Sequence, residues 1–209
     1  MRQFLLILFT LAAISPAWSE EIPDSTLIKN AFSELYNLVA EEDYDACTDY
    51  IDSRSLSYFT DLQQYALYSS EEELLKLGPV DLLLALTLRT KIKESGFNLD
   101  STEHIGIKAL LKTSRDEMMI PTTLADIEVA GSWAYGTTVL GGKLTDDIKV
   151  FLLEKDGWKM NLYSDIEQAK GNEAMIMAFY GNDKRKVVVS TAQELGVSSA
   201  SILTPIISK

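Results

Sequence analysis

The residues that could do chemistry are few in kind. The chain of 209 residues has one histidine and one cysteine. His104, in Glu103-His104-Ile105-Gly106, has no second histidine with which to share a metal and no orienting partner in view. It reads as a surface or hydrogen-bonded imidazole. Cys47, in Tyr44-Asp45-Ala46-Cys47-Thr48-Asp49-Tyr50, has no partner for a disulfide and reads as a small buried side chain. Carboxylates remain. Asp81, Asp126 and Asp165 adjoin apolar segments, so each is a candidate base for proton transfer or hydrolysis, but 31 acidic residues make the choice among them arbitrary. The sequence contains no glycine-rich phosphate loop, paired-cysteine metal motif or glycine-flanked nucleophilic serine, and no cofactor or metal is expected.

Binding chemistry has four candidates: Arg89, Tyr135, Trp158 and Tyr163. Arg89 stands among Leu86, Leu88 and Ile92, where a guanidinium either snorkels to the surface or pairs with an acid or a ligand. A structural role is favoured, because buried arginines are usually paired structurally. Tyr135, Trp158 and Tyr163 fall near predicted strands and would line a pocket, although core packing is the commoner fate of large aromatics.

The elements that must hold these residues follow from periodicity. Leu27, Ile28, Ala31, Phe32, Leu35, Leu38 and Val39 recur at helical spacing behind an Asp24 or Ser25 cap. Ser53 is the expected cap of a second helix through Leu56, Phe59, Leu62, Tyr65 and Ala66. Ser70 and Glu73 form a capping box. Gly78-Pro79 then starts a leucine-rich helix, apolar on most sides and therefore central. Residues 101–113 fit helix or strand alike. From Met118 the pattern favours strands, with turns at Gly131-Ser132 and Gly141-Gly142.

The stretch from Lys149 to Leu162 reads as a hairpin turning on Asp156-Gly157, a type I′ signal. That register opposes Leu153 to Met160 and Glu154 to Lys159, and gives Phe151, Leu153, Trp158, Met160 and Leu162 one face. Ser164 and Glu167 offer a second capping box, and helical spacing runs on through Ile166 to Phe179 and Val187 to Leu195. Helices first, then antiparallel strands, make an α+β plan.

Composition narrows the partners. A formal net charge of −12 repels polyphosphate, so nucleic acid and anionic membrane surfaces are poor candidates. Thr191 to Ser198 resembles the start of a helix-turn-helix, but Ser199 to Pro205 has no Arg, Lys, Asn or Gln to read bases. At the N-terminus, Arg2, the apolar run Phe4 to Ile14 and Ala17-Trp18-Ser19 predict a signal peptide over residues 1–19, hence an exported, periplasmic or secreted protein. The run is shorter than the ~20 apolar residues a membrane anchor needs. Residues 20–170 are expected to form the α+β domain, with 171–209 a C-terminal helical extension packing on it or on a partner.

Gly131-Ser132-Trp133-Ala134 followed by Phe151 to Met160 resembles the nuclear-transport-factor-2-like superfamily, whose exported bacterial members often carry this kind of ending. The resemblance spans about residues 24–165 and rests on the first helix and the last three strands. It implies helices packed in the concave face of a curved antiparallel sheet, a cone with a pocket, and a homodimer through the sheet. Enzymes of that superfamily place an Asp or His base and a Tyr or acid donor inside the cone. Since one fold hosts many activities, the expected function is non-catalytic binding of a small apolar or amphipathic ligand, or of a partner protein. The alternative is an enzyme using a pocket carboxylate.

Overall fold

The structure, a computed structural model, describes residues 22–100, 103–117 and 123–207. The predicted signal peptide, residues 1–19, lies outside them. The described residues form an α+β protein of ten α-helices and one four-stranded antiparallel sheet.

Helix α1 (Asp24–Ala40) buries the stripe Ile28, Phe32, Leu35 and Val39. Neither expected residue caps it. Pro23 holds the cap position, and the Asp24 carboxylate instead accepts a hydrogen bond from the Trp158 indole N–H at 3.0 Å, which fastens α1 to the sheet. A short helix α2 (Tyr44–Cys47) and a 3-10 turn (Thr48–Tyr50) lead to α3 (Ser53–Tyr68). Asp52, not Ser53, caps α3, accepting from the amides of Arg54 and Ser55. Ser53 is engaged elsewhere: its amide and hydroxyl both donate to Glu154 Oε1 at 2.7 Å. Helix α4 (Glu71–Leu74) carries the Ser70–Glu73 capping box that the sequence indicates. Pro79 opens α5 (Pro79–Ser95), which is buried on most sides and ends at Gly96 in the left-handed conformation. The ambiguous segment resolves as helix α6 (Ile105–Glu117).

Strands β1 (Thr123–Ala130), β2 (Trp133–Leu140), β3 (Lys143–Glu154) and β4 (Gly157–Met160) pair in sequence order. Register shifts interrupt the β1–β2 ladder between Ala125 and Glu128 and the β2–β3 ladder between Thr137 and Val139. The last hairpin departs from the expected register. Phe151 opposes Met160, Leu153 opposes Trp158 and Glu154 opposes Gly157, so Lys155 and Asp156 make the loop. A type I′ turn needs positive φ at both central residues. Only Gly157 of the Asp-Gly pair supplies it, at +127°. The expected Glu154–Lys159 pair is therefore absent, and Lys159 bonds Asp156 at 2.8 Å. The slip moves the partners by two residues, so Phe151, Leu153, Trp158 and Met160 still share a face. Leu162 lies beyond the strand, at the cap of α7.

After the sheet come α7 (Tyr163–Gly171), α8 (Glu173–Phe179), α9 (Lys184–Glu194) and α10 (Ser199–Leu203). Ser164 and Glu167 make no capping box; Glu167 pairs with Arg54 at 2.6 Å and the Ser164 hydroxyl donates to the Asn161 carbonyl. Two cores result. One joins α1 to the sheet through Phe32, Leu35, Ala134, Phe151, Trp158 and Met160. The other gathers α3, α5 and α6 with Ile166, Val187, Val188, Ala192 and Ile202, so the C-terminal helices share the helical core.

Candidate functional site

A cavity of about 350 Å³ opens where the two cores meet. Leu35 and Val39 of α1 and Met160 of β4 reach it from the sheet core; Phe59 of α3, Ile107 of α6 and Ile166 of α7 reach it from the helical core. Leu84, Leu110, Leu111 and Leu162 complete the apolar wall. The lining is apolar because each contributing helix turns its core stripe this way, with Leu111 and Leu162 packed against both cores.

Four polar residues interrupt the wall: Tyr36, Arg115, Lys149 and Asp165. Lys149 opposes Gly136, two residues from the Ala134–Phe151 pair, so it stands on the helix-facing side of β3. Its ammonium lies 2.9 Å from Asp147 Oδ1. Arg115, in the last turn of α6, lies 2.7 Å from Glu42 Oε1. Burial, and after it the Asp147 carboxylate, push the Tyr36 phenol up to about 12, so it remains a neutral donor at pH 7. Asp165 is exposed at the rim.

None of the four expected ligand-binding residues lines this cavity, and the structure does not bring them together. Arg89 is wholly buried. Its Nε donates to Ala66 O at 2.7 Å, Nη1 to Ile202 O and Leu203 O, and Nη2 to Tyr65 O and Ser69 O. A guanidinium has five N–H donors, and five carbonyls take them, which leaves none for a ligand. Burial lowers its pKa to about 10, so it stays charged at neutral pH. Tyr135 lies on the sheet face opposite α1, since it opposes Val150 and not Phe151. Trp158 packs against α1 through the Asp24 bond. Tyr163 begins α7 rather than standing on the sheet, with the Arg54 guanidinium 4.4 Å above its ring and Tyr58 at 4.8 Å.

The other chemical candidates are placed as follows. Asp81 accepts from the Tyr58 hydroxyl at 2.6 Å and pairs with Lys170 at 2.7 Å, a link between α5 and its neighbours α3 and α7. Asp126 is exposed at the β1 irregularity, with φ of +48°. His104 bonds Thr60 through Nδ1 at 3.0 Å. Cys47 is buried, and burial followed by Asp43 pushes its thiol up to about 11. Among the described residues, no group of three or more His, Cys, Asp or Glu is placed to hold a metal ion. Helix α9, the Gly196 turn and α10 do form a helix-turn-helix outline, yet α10 buries Ile202 and gives its carbonyls to Arg89.

Sequence reasoning missed Tyr36, Arg115 and Lys149. Lys149 carried a signal: period-two alternation puts it on the face of Phe151, where a charge has to meet something other than core. Arg115, one helical turn beyond Leu111, follows the same logic at a spacing of four. The chain matches no protein-family model, no curated protein and no solved structure.

Proposed function

We propose that this protein binds a small apolar or amphipathic ligand in the cavity between α1, α6 and the sheet, without catalysing a reaction on it. The observation that carries this reading is the wall itself: apolar side chains from both cores around a space in the size range of small-molecule sites, with few polar groups among them. An enzyme reading needs a carboxylate held in the cavity away from water. Asp165 is the lining carboxylate among the described residues, and it is exposed at the rim. Binding is therefore favoured over catalysis.

The uncharged fluorophore N-phenyl-1-naphthylamine tests the reading. It is expected to brighten with the protein, and Leu110→Trp, which fills the cavity, is expected to abolish the effect while the thermal midpoint is retained. Unchanged brightening in a folded Leu110→Trp protein would overturn the assignment.

Two further parts of the proposal concern setting and partner. Export to the periplasm or medium is supported by the N-terminal sequence. The nuclear-transport-factor-2-like reading, with its cone, is supported by α1 lying on one face of an antiparallel meander and by two ladder irregularities, since bulges bend strands. Homodimerisation is supported by the opposite sheet face. Trp133, Tyr135, Val139, Leu144, Ile148, Val150 and Leu152 share it by register, and Leu144 and Ile148 are 58% and 54% exposed. A second copy related by a two-fold axis would cover the same residues on both subunits.

A further inference from the structure

The lining of the cavity inverts the charge of the molecule. The whole chain carries −12, yet the charged side chains that reach the cavity are two cations, Lys149 and Arg115, and one acid, Asp165. The cations come from β3 and α6, the acid from α7. Their ion-pair partners stand outside the lining: Asp147 and Glu42 are about half exposed, at 45% and 54%, whereas the Lys149 side chain is only 20% exposed and that of Arg115 33%. A half-exposed carboxylate holds its cation weakly, so Lys149 can take a second anion from the cavity side alongside Asp147, whose charge also reaches Tyr36. Tyr36 adds a phenol hydroxyl on the same wall.

Resting on the cavity reading above, we infer that the site selects amphipathic anions: an alkyl or aryl chain against the leucine wall, with a carboxylate head group between Lys149 and Arg115. A cation in a partly desolvated wall gains more from a carboxylate than from a hydroxyl, because the carboxylate adds charge–charge attraction that a neutral acceptor lacks. An ammonium head group meets two like charges there and is disfavoured.

Decanoate, decanol and decylamine, competed against N-phenyl-1-naphthylamine on the full chain, separate head group from chain. Decanoate is expected to displace the probe at a concentration about tenfold lower than decanol, with decylamine weakest. Lys149→Met is expected to bring decanoate to the level of decanol, each compound read against the probe affinity measured for that variant, and Lys149→Arg to retain the preference. Arg115→Met supplies a second variant should Lys149→Met fail to fold. If the probe binds and the three compounds displace it equally, anion selection is wrong and the cavity reading stands. If the probe does not bind at all, both fail.

Discussion

Arg89 shows how one side chain can organise a core without an acid beside it. Its five carbonyl partners lie at the C-terminal end of α3 and in α10, where main-chain oxygens run short of intrahelical donors, although Tyr65 O also accepts from the Ser69 amide. The guanidinium thus supplies donors at two helix ends where amides become scarce. Arg89→Met keeps much of the volume and removes every donor. It is expected to cost about 3–5 kcal/mol, since several buried carbonyls lose their donor at about 1–3 kcal/mol each and some recover one by local adjustment. Urea unfolding monitored by far-ultraviolet circular dichroism measures it; a loss below ~1 kcal/mol would contradict the role assigned to Arg89. The leucine-rich context in the sequence already favoured a structural arginine. It could not identify the partners, because carbonyls carry no sequence signature and these are gathered only by tertiary packing.

At the scale of elements, helices were more legible than their caps. Apolar spacing located α1, α3, α5 and α9, since a buried stripe must repeat every three or four residues. Caps depend on which of several adjacent polar residues the tertiary structure claims. Asp52 caps α3 because Ser53 is drawn to Glu154, and the Asp52 carboxylate also accepts from the Ser55 hydroxyl in a buried position. Asp52→Ala is therefore expected to lower stability by ~1–3 kcal/mol, and Ser53→Ala by clearly less. Thermal and urea denaturation of the two variants decide it, and the reverse order would restore Ser53 as the cap. The hairpin teaches a similar distinction. Its loop moved, but the faces survived, because a two-residue change in pairing preserves parity.

At the scale of the molecule, the α+β plan with helices leading was readable from the change of period near residue 118. The cavity was not. Its wall draws on five helices and two strands, and no segment of the sequence announces that two cores meet imperfectly. The proposed dimer belongs to this scale as well. Ile148→Lys puts a charge in the middle of the outer sheet face while leaving the helix-facing core untouched. Sedimentation equilibrium is expected to report a dimer for the parent chain and a monomer for the variant, with equal thermal midpoints at low concentration. A monomeric parent would remove the dimer and leave the cavity unaffected.

The Arg89 clamp has a consequence in time as well as in space. Arg89 and Leu203, which it holds, are separated by 114 positions. During synthesis the guanidinium emerges long before two of its acceptors, and Ile206 and Ile207 add amide bonds to Leu67 later still. The helical core therefore stays incomplete until nearly all of the described chain has left the ribosome. For a protein proposed to cross a membrane, that delay is useful: a translocation pore receives a nascent chain that has not yet locked shut.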